Sequence, residues 1–106
     1  MGWLYLLLAG LLEIGWPTGL KMAQVSPSKW GWILFAVFTM GASGVLLYLA
    51  QRHIPIGTAY AVWTGIGAAG TFCVGVLFFR DTAGLMQYLG VALIIAGVVM
   101  LKIGHG

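Results

Sequence analysis

The chain has 106 residues, 61% of them hydrophobic and 7% charged, with a formal net charge of +3. An average soluble domain carries about 25% charged residues, so the composition excludes an ordinary water-covered surface. The five basic residues stand singly and form no patch of the kind that binds nucleic acid.

Four apolar stretches take up nearly all of the sequence: residues 2–22, 30–50, 58–79 and 84–101. Each is close to the ~20 residues that a helix needs to cross the hydrocarbon of a bilayer. Backbone polar groups in lipid must be satisfied within the segment, so the expected class is all-α, a four-transmembrane-helix bundle in one domain. The first stretch lacks the basic start and small-residue cleavage site of a secretory signal, and it contains a glutamate; it reads as a retained span.

That glutamate is Glu13, one of only two acidic residues in the chain. It lies about 15–18 Å along its helix, near the bilayer midplane, where a charged side chain costs about 2.5–3.5 kcal/mol. Ionisable groups at such depth usually mark the path of an ion or substrate; the plainer alternative is a hydrogen bond that merely ties two helices. On the same helix Trp16 offers an indole N–H and an aromatic face one turn from the carboxylate. Pro17 follows it, and a proline there cannot donate to the carbonyl of residue 13, so a kink with a free Glu13 carbonyl is expected.

The second stretch places Ser43 near mid-depth, either free to serve the carboxylate or bonded back to its own helix. It is otherwise small in side chains, Met40-Gly41-Ala42-Ser43-Gly44-Val45. In the third stretch Tyr60, Trp63 and Gly67 share a stripe, which is either part of a binding site or an interfacial aromatic belt. Its glycines, Gly65 and Gly67 among them, imply a helix that bends or packs very closely. Cys73 reads as a small buried hydrophobe. In the fourth stretch Gly90 and Gly97 mark a narrow face suited to a dimer contact.

The connections are short and rich in Pro and Gly, which makes consecutive helices antiparallel neighbours. They leave Arg52 and Lys102 on one side of the membrane and Lys21, Lys29 and Arg80 on the other. Lys/Arg asymmetry normally sets orientation, and here it is nearly absent. Insertion in both orientations follows as an expectation, with an antiparallel dual-topology homodimer sharing one site between inverted copies. Asp81 sits beside Arg80, where a solvated pair suffices.

The chemistry suits a compact organic cation held by Glu13 and by aromatic faces, with protons competing for the same carboxylate. The expected partners are that cation, protons, the lipid membrane and the second copy; no nucleic acid, metal or cofactor is expected. A passive ion channel and a purely structural subunit are the alternatives from other classes. His53 and His105 lack a companion acid–base–nucleophile set, so the pattern gives no support to an enzyme.

The run Ala9-Gly10-Leu11-Leu12-Glu13-Ile14-Gly15-Trp16, the string from Ile54 to Gly67 containing Pro55-Ile56-Gly57-Thr58-Ala59-Tyr60-Ala61-Val62-Trp63-Thr64-Gly65, and the Gly90/Gly97 spacing resemble the small multidrug resistance family of proton-coupled exporters. Trp16, Ser43 and Thr64-Gly65-Ile66-Gly67-Ala68 resemble its guanidinium-exporter branch more than its broad-drug branch. The resemblance implies proton-coupled antiport of guanidinium-type cations in a bacterial inner membrane, with Glu13, Trp16, Ser43, Tyr60 and Trp63 lining the site. Pro17 and the small second helix depart from the branch pattern and leave room for substituted guanidines, quaternary ammonium or polyaromatic cations.

Overall fold

The computed structural model describes residues 2–105. It contains four helices, α1 (Gly2–Val25), α2 (Lys29–Ala50), α3 (Ile56–Phe78) and α4 (Leu85–His105), all long and apolar enough to cross a membrane. The four expected spans are all present, with shifted ends. α1 runs three residues past Met22 because no breaker precedes Ser26-Pro27. α4 continues beyond Leu101, so that Lys102 and His105 form its last turn, where basic groups complement the helix dipole.

Packing is uneven. α1 is central and lies most extensively against α2 and then α3; α2 and α3 barely meet, and α4 packs on α3. The core is correspondingly small, built from Leu6, Ala50, Ile54, Ala59 and Val62. Large apolar side chains such as Leu34, Phe38, Leu93 and Met100 are exposed, as expected where lipid, not protein, covers a helix. No residue of α4 is buried. The Cα extents are 46 × 34 × 16 Å, a flattened bundle whose thinnest dimension is about that of two packed helices.

The ends of the slab agree with the sorting of charges read from the sequence. At one end Gly2 lies against His53, and Trp3 stacks edge-on with His105, 5.4 Å between centroids, with Lys102 Nζ 4.9 Å from its ring. At the other end Lys21 and Asp81 share a cavity wall. α1 and α3 remain helical through Pro17 and through the Gly65–Gly67 segment. The two α3 glycines are points of close approach: a Cβ on Gly65 would fall 2.5 Å from Val98 of α4, and one on Gly67 would fall 2.5 Å from Cγ of Glu13.

Candidate functional site

Among the described residues, Glu13 is held at the one place where α1, α2 and α3 converge through polar atoms. Ser43 of α2 is fully buried, and its hydroxyl donates to the carbonyl oxygen of Ala9, 2.7 Å away on α1. The same oxygen accepts the indole N–H of Trp63 from α3 at 2.8 Å and lies 3.5 Å from Glu13 Oε1. The back-bond to its own helix considered for Ser43 is thus replaced by bonds to two neighbouring helices. Ala9 is one turn before Glu13 on the same face, which is why a single hydroxyl reaches both.

A hydroxyl has one proton to give and two lone pairs. In this arrangement the proton goes to Ala9 and one lone pair to Trp63, so a second lone pair remains toward Glu13. A protonated Glu13 can donate to it. An ionised Glu13 can instead attract the hydroxyl proton, at the expense of the Ala9 bond.

Gly67 forms the floor beneath the carboxylate: the Glu13 side chain lies directly on the α3 backbone, where any Cβ would collide with it. From there Glu13 faces an open groove of about 490 Å³ walled by Pro17 of α1, by Thr64, Thr71 and Phe72 of α3, and by Asp81 beyond α3. This volume is within the range of pockets that take drug-sized ligands. Carboxylate, two threonine hydroxyls and a phenyl ring supply charge, polar contacts and an apolar wall.

The other residues singled out from the sequence fall into three groups. Tyr60 is 55% exposed and joins the site through Trp63, its ring centroid 5.3 Å from the indole at 53°. Trp16 is partly buried on α1 and makes no hydrogen bond to Glu13 among the described residues; the indole that completes the polar tie is Trp63. Gly90 and Gly97 lie away from the site on α4, and an added Cβ at either meets no atom within 4 Å. Cys73, expected to be buried, is exposed on α3, because it lines an open groove between Leu11 and Ile14 of α1 and Ile95 and Val99 of α4.

Thr64, Thr71 and Phe72 were not assigned a role from the sequence. Thr64, Gly67, Ala68 and Thr71 recur at the three-to-four-residue spacing of one helix face, so the stripe begun by Tyr60 and Trp63 could have been carried two turns further. Asp81 offers no such signal.

Comparison with known proteins identifies the family. Residues 1–94 match the family model described as Small Multidrug Resistance protein. A guanidinium exporter of Yersinia pestis is 42% identical over a 107-position alignment that covers 97% of this chain and 98% of the relative. Guanidinium exporters of Salmonella typhimurium strain LT2, at 40% identity, and Klebsiella oxytoca, at 41%, are each covered to 97% along with 97% of this chain.

Proposed function

This chain belongs to the small multidrug resistance family of membrane transporters, and from that premise we propose that it is a proton-coupled antiporter exporting guanidinium or small guanidinyl cations. The observation that carries the reading is the Glu13–Ser43–Trp63 tie. A carboxylate at membrane depth beside a hydroxyl with one spare lone pair has a defined partner when protonated. When ionised it presents its oxygens to the groove, where a planar guanidinium can offer two parallel N–H donors.

Proton and cation then compete for one group. Binding guanidinium requires the proton to leave, and reprotonation expels the cation. If the loaded and protonated forms each cross between inward- and outward-facing states while the empty ionised form does not, exchange follows without any further device. Trp63 and Ser43 orient the carboxylate, Tyr60 extends the aromatic wall, and Trp16 borders the site from α1. Pro17, whose missing N–H weakens α1 one turn from Glu13, and the close-packed Gly65 and Gly67 are where the helices bend during that crossing.

The groove in front of Glu13 is open within one protomer, and no residue of α4 is fully buried there. The working unit in this reading is an antiparallel homodimer in a bacterial inner membrane, with one Glu13 from each copy and α4 packed on its partner through Gly90 and Gly97. A groove of about 490 Å³ is roomier than guanidinium needs and favours, as a second reading, quaternary ammonium or polyaromatic cations on the same site.

The direct test is proton release. Guanidinium added to weakly buffered purified protein should liberate protons with an apparent affinity that weakens as pH falls, and Glu13→Gln should release none. Binding that is independent of pH would overturn the competition. Proton release by a tetraalkylammonium and none by guanidinium would favour the second reading.

A further inference from the structure

The chain has only two acidic residues, and both line the same groove. Asp81 is 68 positions from Glu13 in sequence, yet it forms the outer wall of the cavity whose inner wall is Glu13. An adjoining cavity of about 200 Å³ carries the groove on to the end of the bundle, sharing Pro17, Thr71 and Asp81 and adding Lys21. From Glu13 to Lys21 is eight residues of α1, or about 12 Å of rise. The polar lining is thus continuous from the membrane rim to mid-depth.

The position of Asp81 is specified by the chain around it. Beyond the end of α3, Arg80 adopts a left-handed backbone, φ 57°, which a side chain with a Cβ adopts at some cost. That turn lets the N–H of Asp81 reach the carbonyl of Gly75 at 3.0 Å, a carbonyl that Phe79 N–H also uses at 3.1 Å. The Asp81 carboxylate then folds back over the α3 backbone at Gly75, where a Cβ would meet Oδ2. A solvated pair with Arg80 was the sequence expectation; the carboxylate is instead directed along the helix toward the groove, with its outer side exposed.

We propose that Asp81 is the capture residue of the transport path, a carboxylate at the rim that draws a guanidinium-type cation into the groove and delivers it past Thr71 to Glu13, with Lys21 opposing it there. This rests on the reading of Glu13 as the cation site. A unit charge about 10 Å from an incoming cation, at an effective dielectric near 40, changes its local concentration about fourfold, and salt screens that effect over about 10 Å. In an antiparallel dimer the two copies would place one such entrance on each side of the membrane.

The test is guanidinium exchange by protein in liposomes at subsaturating substrate, at low and high salt, for Asp81→Asn, Asp81→Glu, Lys21→Gln and Glu13→Gln. Asp81→Asn should slow exchange about fourfold at low salt and lose most of the wild-type salt dependence, while proton release at saturating guanidinium persists. Asp81→Glu should retain the wild-type rate, and Lys21→Gln should raise it. A purely structural Asp81 would not give opposite effects at the two charges or a changed salt response. If Asp81→Asn misfolds on gel filtration, Lys21→Gln alone decides: an unchanged rate and salt dependence overturns the proposal. Asp81→Asn with wild-type rate and salt dependence also overturns it, whereas loss of proton release in Glu13→Gln alone leaves the Glu13 reading standing.

Discussion

Replacing Gly67 with alanine adds a single methyl group, and the geometry gives it nowhere to go. Its Cβ would lie 2.5 Å from Glu13 Cγ, 3.2 Å from Cβ and 3.8 Å from Cδ, against an ordinary carbon–carbon contact of about 3.5–4.0 Å. Relief requires a displacement of about 1 Å. The crowded atom is Cγ, in the middle of the side chain, so rotation of the carboxylate alone does not resolve the overlap. Either Glu13 moves off the α3 backbone, breaking its 3.5 Å approach to Ser43, or α1 and α3 separate. Overpacking of this kind costs about 1–3 kcal/mol in stability, and a misplacement of about 1 Å at a reacting group can cost about 100-fold in rate. The expectation is that Gly67→Ala remains folded in detergent but exchanges guanidinium at least tenfold more slowly in liposomes, whereas Gly57→Ala, at an exposed position where a Cβ meets no atom within 4 Å, behaves as wild type. Exchange by Gly67→Ala within twofold of wild type would refute the placement of Glu13 against α3.

Three further substitutions probe Ser43, the α1 proline and the exposed face of α4. Ser43→Ala leaves Trp63 N–H and the Ala9 carbonyl without their shared partner; interhelical bonds in membranes average about 0.6 and reach about 1.7 kcal/mol, so thermal unfolding should show a loss of about 1 kcal/mol, accompanied by slower exchange. Pro17→Ala restores an N–H that can bond the Glu13 carbonyl; a helix-interior proline costs about 3 kcal/mol, so unfolding temperature should rise while exchange slows as α1 stiffens. Gly97→Leu places its Cβ where no atom of its own protomer lies within 4 Å, so helix content should be unchanged, and a shift from dimer to monomer on light scattering in detergent is expected if α4 is the dimer face.

Much of this was legible in the sequence because lipid imposes a strong pattern: four apolar runs bounded by Pro, Gly and charge can be little else. The ends were less legible, since Lys102 and His105 are as compatible with a tail as with the last turn of α4, and it is Trp3 that engages both. Glu13 declared itself by depth, and Ser43 and Trp63 by being the hydroxyl and indole at comparable depth. Their joint hydrogen bonding depends on helix rotation, which hydropathy cannot report when every face of a helix is apolar. For the same reason α4 looked like α2, although α2 lies extensively against α1 and α4 packs closely only against α3 among the described residues. Asp81 was invisible as a groove residue because its direction follows from the left-handed turn at Arg80, and an arginine carries no signal for that conformation.

Whether one carboxylate serves both proton and cation can be read from guanidinium uptake into liposomes driven by a proton gradient, with internal pH followed at the same time. Wild-type protein should move protons out of the lumen in a fixed ratio to guanidinium entering, an inward guanidinium gradient alone should likewise drive protons out, and Glu13→Gln should abolish both fluxes together. Guanidinium current without accompanying proton movement, or coupled exchange that survives in Glu13→Gln, would contradict it.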